Sequence, residues 1–193
     1  MKIELYFITG NKGKFLEAYN ILRKYGIDLR QLNVKKMEIQ SEDLKEIAIE
    51  AIKQVYNRIR RPVVVEDAGL FIKALNGFPG PYSSYVFKTI GINGILKLME
   101  NIEDRRAEFK SVVAFMHPSI GIKVFEGVVR GVISNTPRGN KGFGFDPIFI
   151  PDGSEKTFAE MSVEEKNMYS HRAKAFRALG EWIKENLKYL LKY

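Results

Sequence analysis

The segment Val63-Val64-Val65-Glu66-Asp67-Ala68-Gly69-Leu70 constrains this chain more than any other. A run of β-branched residues packs well only on a pleated, buried surface, so Val63–Val65 reads as an interior strand. It runs directly into two carboxylates and a glycine, which reads as the strand's end. Strand ends in α/β proteins hold side chains accurately while leaving them open to ligand. Because alternation turns adjacent strand side chains to opposite faces, Glu66 and Asp67 are not expected to share one job. An acidic pair in a chain of net charge +8 points to a bound cation, with a polar strand terminus as the plain alternative.

The flanking pattern sets the fold class. Lys2–Ile8 reads as a strand, followed by a polar turn and a helix with Phe15, Ala18, Leu22 and Tyr25 on one face, stopping near Gly26. A short extended piece is expected at Leu32–Lys36. The next helix has Asp43 as N-cap and Ile47, Ile52 and Val55 on its apolar face. With the Val63 strand this makes β-α-β-α-β, the opening of an α/β fold. Gly77–Ser84 reads as a turn-rich loop and Ile92–Met99 as a short helix. Arg106–Met116 and Ile122–Ile133 read as an antiparallel hairpin turning at His117–Gly121. Ser162 and Glu165 form a capping-box pattern, and a last helix starts near Ser170. With 193 residues and no linker or repeat, a single domain over 1–193 is expected.

Composition narrows the chemistry. With no cysteine and only His117 and His171, disulfides, thiolate metal sites and His-rich zinc sites are excluded or disfavoured. Any metal is then a hard ion on oxygen ligands, most simply Mg²⁺. No apolar run approaches the roughly 18 residues of a membrane span, and no signal-peptide pattern opens the chain, so a cytoplasmic protein is expected. The basic balance favours a polyanionic partner, nucleic acid or a small polyphosphate.

Four further segments carry chemistry. Thr9-Gly10-Asn11-Lys12-Gly13-Lys14 combines glycines, polar donors, lysines and a helix start, which together favour phosphate. It lacks Walker spacing, and an ordinary strand-to-helix turn is its plain reading. Glu38, Glu42 and Asp43 form a second acidic patch; capping accounts for the latter two but not for Glu38, which would need the fold to bring it to Asp67. In Phe143-Gly144-Phe145-Asp146, flanking glycines leave Phe143 open to stack on a planar ligand. Core packing is the better reading for Phe145, and Asp146 before proline can simply stabilise a turn. Lys166, His171 and Arg172 place donors near helix starts, suited to phosphate or the keto oxygens of a purine, with Ser170 as a helix cap and His171 and Arg172 solvated as the plain reading.

Taken in order, Thr9-Gly10-Asn11-x-x-Lys14, Glu66-Asp67-x-Gly69-Leu70, Gly77-Phe78-Pro79-Gly80-Pro81-Tyr82-Ser83, Phe143–Phe149, Thr157–Met161, Glu165-Lys166-Asn167 and Ser170-His171-Arg172 resemble the inosine triphosphate pyrophosphatase, or Ham1, family across nearly the whole chain. The resemblance implies an α/β fold with a long central mixed sheet, two lobes and a cleft between them, usually as a homodimer. It implies hydrolysis of ITP, dITP and XTP to monophosphate and pyrophosphate with Mg²⁺, by attack of a metal-polarised water on the α-phosphate. Thr9–Lys14 would hold the phosphates. Glu38 and Asp67 would hold Mg²⁺, with Asp67 also activating water. Ala68 would contact the nucleotide through its backbone, Phe143–Asp146 would cradle base and sugar, and Lys166, His171 and Arg172 would read the base.

Three positions depart from the family pattern. Many relatives carry Asp-Asp-Ser-Gly where this chain has Glu66-Asp67-Ala68-Gly69, and the lysine many carry on the second helix falls at Glu50 or Ala51, with Lys53 nearby. A Maf-like pyrophosphatase of pyrimidine or modified nucleotides is the related alternative. A nucleic-acid-binding module is the alternative from another class, but it leaves the acidic segment and Phe143 unexplained.

Overall fold

A computed structural model describes residues 3–37 and 39–190. The expected β-α-β-α-β opening is present: β1 (Ile3–Ile8), α1 (Lys12–Leu22), β2 (Ile27–Leu32), α2 (Leu44–Ile59) and β3 (Val63–Ile72). The extended piece expected at Leu32–Lys36 lies earlier, at Ile27–Leu32. Its alternation of Ile27 and Leu29 with Asp28 and Arg30 is that of a strand with one face in the core, and it pairs in parallel with β1 from Ile3↔Ile27 to Ile8↔Leu32. Asp43 caps α2 by accepting from the Lys45 N–H at 2.8 Å.

One expectation fails in an informative way. The valine strand does not end at Glu66-Asp67 but continues to Ile72. It pairs antiparallel with β5 (Arg106–His117) along its full length, from Val63↔Met116 to Ile72↔Ala107. On its other edge, β1 pairs only with Val63 and Val64, and the two-residue β4 (Pro79–Gly80) pairs only with Leu70 and Phe71. Between them Val65–Gly69 have no ladder partner on that edge. The acidic pair thus sits mid-strand, where β1 has ended and the sheet edge opens. Gly69 is needed for β4 to approach, since a Cβ there would lie 2.2 Å from the Gly80 carbonyl oxygen.

After β4 come α3 (Ser83–Thr89) and α4 (Gly91–Leu98), so the loop expected through Ser84 gives way to helix at Ser83. The hairpin forms as β5 and β6 (Gly121–Ile133), closing at His117↔Gly121. Then follow β7 (Phe149–Pro151), α5 (Val163–Tyr169), α6 (His171–Glu185) and α7 (Leu187–Leu190). Ser162 and Ser170 cap α5 and α6 by accepting from the backbone of Glu165 and Ala173. Among the described residues the strands make one mixed sheet ordered β2-β1-β3-β5-β6-β7, with β4 beside β3.

Alternation divides the core. One face carries Leu5, Phe7, Val64, Val113 and Phe115 under α1 and α6, with Phe7 edge-on to Phe176 at 5.3 Å. The opposite face carries Tyr6, Ile8, Val63, Val65, Val112 and Ala114 under α2. A further cluster of Leu70, Ile72, Phe109, Phe145, Phe149 and Phe158 packs with Ile95 and Met99. Along β3, Val64 belongs to the α1–α6 cluster and Leu70 to this last one. Glu66 and Ala68 fall in the seam between them.

Candidate functional site

A cleft of about 490 Å³ opens at that seam. Its first wall is the β1–α1 turn, which supplies Thr9, Gly10, Asn11 and Lys14. The turn is organised by its own polar groups. Asn11 caps α1 by accepting from the Lys14 N–H at 3.1 Å, Thr9 Oγ1 accepts from the Asn11 N–H at 3.1 Å, and Gln31 donates to the Thr9 carbonyl at 2.9 Å. Lys12 and Gly13 belong to the turn but do not line the cleft. Gly13 instead gives way to Phe143, whose ring would lie 2.5 Å from a Cβ at that position.

The floor is the unpartnered stretch of β3: Glu66, Asp67 and Ala68. The pair divides as alternation requires. Glu66 is buried towards α1 and α6, whereas half-buried Asp67 shares its face with Val63 and Val65. Phe143, Gly144, Phe145, Asp146, His171 and Arg172 form a second wall, which meets the first where Phe143 packs on Gly13. Phe145 is buried in the core beneath, as its packing reading has it, and contributes to the lining as well. Glu38, the second expected metal ligand, lies outside the described residues. The described carboxylate facing the cleft from the α2 side of β3 is Asp67, and among the described residues no cluster of three or more metal-ligating side chains occurs.

Beneath this lining lies a buried ionic chain. Glu66 is 2.8 Å from the Lys14 ammonium, 3.0 Å from Arg172 Nε and accepts from Ser111 Oγ at 2.8 Å. Arg172 reaches on to Glu17 at 2.7 Å, Lys166 joins Glu17 at 2.8 Å, and the same ammonium meets Asp146 at 2.6 Å. Asp146 also accepts from the Phe143 N–H at 2.9 Å, so it does fix the turn. Three carboxylates and three cations therefore neutralise one another in the seam. Lys166 and Arg172 lie 4.8 and 5.3 Å from the Phe143 ring centroid, which orients that ring from below.

Burial alone opposes charge on Glu17 and Glu66. The Arg172 guanidinium, with Lys166 for Glu17 and Lys14 for Glu66, outweighs it and holds both carboxyls below their ordinary range. Asp146 goes the other way. Burial and the nearby Glu17 charge raise it despite Lys166.

His171 differs from the other site residues. It is 2% exposed, its ring stacks on Phe109 at 4.7 Å and 10°, and its Nδ1 has no hydrogen-bond partner. Burial, then the adjacent Arg172 charge, pushes its pKa well below 6.5, so the ring is neutral at pH 7. A group depressed on folding contributes stability that is present above its unfolded pKa and lost as pH falls. His117 is lowered by burial as well. Urea unfolding should therefore show stability falling below pH 6.5, with His171 contributing about 1 kcal/mol between pH 7 and 5.5. His171→Asn should lose that share and keep the share of His117; an unchanged acid limb would mean that His171 is not desolvated.

Sequence reasoning missed several members of this site. Glu17 sits mid-helix, where a glutamate ordinarily signals a solvated face. Its partners lie 149 and 155 positions further along the chain, so no local signal marks it. Lys36 lines the cleft, while Lys53, the lysine nearest the family's second-helix position, pairs with Glu50 on the surface at 2.6 Å. Phe109 and the α3 residues Ser83, Ser84, Phe87 and Lys88 also line it. Phe109 falls within the strand read at Arg106–Met116, but nothing local tied it to a site.

Comparison with known proteins places this geometry. The family model described as the Ham1 family matches residues 5–182. A protein of Hyperthermus butylicus named dITP/XTP pyrophosphatase is 55% identical over 177 residues, spanning 92% of this chain and 93% of its own. One of Pyrococcus horikoshii with the same name is 54% identical over 187 residues, covering 97% and 100%. Among solved structures, the Staphylococcus aureus Ham1 protein superposes with a TM-score of 0.81 at 30% identity, covering 95% of this chain and 99% of its own. A HAM1 protein from Coxiella burnetii gives 0.82 at 30% identity with the same coverage. Identity at this level over nearly the full length, on a matching mixed sheet, leaves one conclusion: the chain belongs to the Ham1 family.

Proposed function

We propose that this protein hydrolyses deaminated purine nucleoside triphosphates, ITP, dITP and XTP, to the monophosphate and pyrophosphate, as a single domain over 1–193. The observation that carries the reading is the chemistry gathered in one cleft. A glycine-containing helix start with Lys14 and a buried neutral imidazole with an unpartnered nitrogen line it together.

The β1–α1 turn suits a triphosphate: Thr9, Gly10 and Asn11 offer donors, and Lys12–Lys14 begin α1. The wall of Phe143–Asp146, His171 and Arg172 suits a purine. Phe143 packs beside the base, Asp146 holds the Phe143 turn, and Ala68 offers backbone from the open strand edge. His171 and Arg172 present donors to a 6-keto oxygen, with Lys166 charging the same wall from beneath. Adenine carries an amino group at that position, so its binding leaves donors facing a donor at a cost of roughly 1–3 kcal/mol per unsatisfied group. Guanine shares the keto group, and its exclusion falls to contacts with the 2-amino group.

Mg²⁺ fits the donor set. The ion keeps several waters and takes one or two carboxylates together with substrate phosphates, all hard oxygen ligands. Asp67 and Glu38 would hold it, and when bound it would supply positive charge to the phosphates and polarise water. Asp67 orients the attacking water, whose oxygen bonds to the α-phosphorus as the bond to the bridging oxygen breaks. Pyrophosphate leaves with that electron pair, and the water's proton passes to solvent. An aspartate of ordinary pKa, about 4, is a weak base at pH 7, so its orienting role outweighs proton removal. The reading carries a homodimer and a cytoplasmic site, where the nucleotide pool is, with no stable nucleic-acid partner. No helix among the described residues is long and apolar enough to cross a membrane.

Initial rates with ITP, dITP, XTP, ATP and GTP at equal concentration test the reading. The deaminated purines should turn over about 100-fold or more faster than ATP, the scale a hydrogen-bonding mismatch supports. Equal rates across the panel would overturn it.

A further inference from the structure

A further wall of the cleft belongs to α3, which places Ser83, Ser84, Phe87 and Lys88 along it. This helix is anchored at both ends. Ser83 Oγ accepts from the Leu70 N–H at 2.8 Å and donates to the Gly80 carbonyl at 2.7 Å, which ties its start to β3. Phe87 stands edge-on to Phe145 at 5.4 Å and 89°, which ties its last turn to the Phe143–Asp146 wall. The Lys88 backbone is thereby fixed beside the cleft while its side chain remains exposed.

Charge gives this lysine its meaning. Four cations line the cleft, Lys14, Lys36, Lys88 and Arg172, against three carboxylates, Glu66, Asp67 and Asp146. Lys14 is 2.8 Å from Glu66, and Arg172 lies between Glu66 and Glu17. Among the described residues Lys88 enters no ion pair, and without it the lining carries no net charge. A nucleoside triphosphate brings several negative charges into such a cleft, and an exposed ammonium on a flexible stem is the natural counter-charge for its terminal phosphoryls. Ser84, one helical turn earlier on the same wall, adds a hydroxyl donor.

We propose that Lys88 is a substrate-binding residue whose ammonium pairs with the β- and γ-phosphoryl oxygens from the α3 wall, in addition to Lys14 on the β1–α1 turn. The proposal rests on the nucleotide reading above and adds to it a second cationic wall. It makes Lys88 a discriminator of triphosphate from monophosphate. The enzyme can then hold its substrate while letting the monophosphate go.

Calorimetric titration of the wild-type protein, Lys88→Gln and Lys88→Arg with inorganic triphosphate and with dIMP tests it, alongside steady-state kinetics on dITP. Lys88→Gln should weaken inorganic triphosphate and raise the dITP KM by about tenfold, the scale of one charge-assisted contact, with kcat within about twofold. Its dIMP affinity should stay within about twofold, and Lys88→Arg should recover most of the loss, since either cation can pair with phosphate. Unchanged triphosphate affinity, or equal weakening of dIMP and triphosphate, overturns the proposal. The binding arm stands apart from turnover: a wild-type protein that binds triphosphate in a Lys88-dependent way yet hydrolyses no dITP would contradict the functional reading and leave this one intact.

Discussion

Asp67→Asn is expected to lower kcat for dITP by about 10³-fold, within the range that loss of a positioned catalytic carboxylate produces. The substitution keeps the shape of the side chain and removes its charge. Asp67 is half-buried on the α2 face of β3, on the opposite side from the ionic seam. The melting temperature should therefore move by only a few degrees, within the usual range for surface substitutions. Glu66→Gln is the matched control, because it alters the neighbouring carboxylate on the other face. A variant Asp67→Asn with near wild-type kcat would show that another group orients the water.

Glu66→Gln should instead act on stability, and strongly. The carboxylate is fully buried between Lys14 and Arg172 and accepts from Ser111. Removing one partner of a buried ion pair costs about 3–5 kcal/mol, because the cations left behind stay desolvated. In a chain of this size that corresponds to a fall of roughly 6–20 °C in melting temperature. Glu108→Gln breaks a pair of comparable length with Arg130, at 3.1 Å, but on an exposed strand face. It should cost no more than about 1 kcal/mol. Equal effects from the two substitutions would mean that water enters the seam. The sign with pH follows from the same geometry. The Glu17 and Glu66 carboxyls are held low, so their contribution is present above about pH 4.5, the ordinary value, and is lost as acid protonates them.

The alternating and helical patterns were readable wherever one face is buried. That covers β1, α1, α2, the β5–β6 hairpin and α6, whose periodicities answer directly to the clusters they join. The continuation of β3 past Asp67 was not readable. Glu66, Asp67, Ala68 and Gly69 resemble a strand terminus, and only the pairing with β5 shows that the backbone stays extended. Asp67 is reached from the cleft for a different physical reason than a strand end, while Glu66 is buried. The pair lies at a sheet edge that β1 vacates and β4 rejoins.

The site separates along the same line. Residues with distinctive local chemistry, Thr9–Lys14, Asp67, Phe143 and His171–Arg172, stood out as motifs. Glu17, Ser111 and Lys88 did not, because their partners or their cleft are made only when distant segments meet. Glu17 illustrates the limit. A glutamate beside Ala18 on a helix carries no mark of burial, yet it bridges Lys166 and Arg172 beneath the base-facing wall. The seam exists because two apolar clusters meet on one sheet face and leave a polar strip between them.

The reaction itself is tested most directly by hydrolysing dITP in water enriched with oxygen-18 and locating the label in the products. Attack at the α-phosphorus predicts dIMP carrying the label and unlabelled pyrophosphate. Labelled pyrophosphate, or release of the diphosphate with inorganic phosphate, would contradict it.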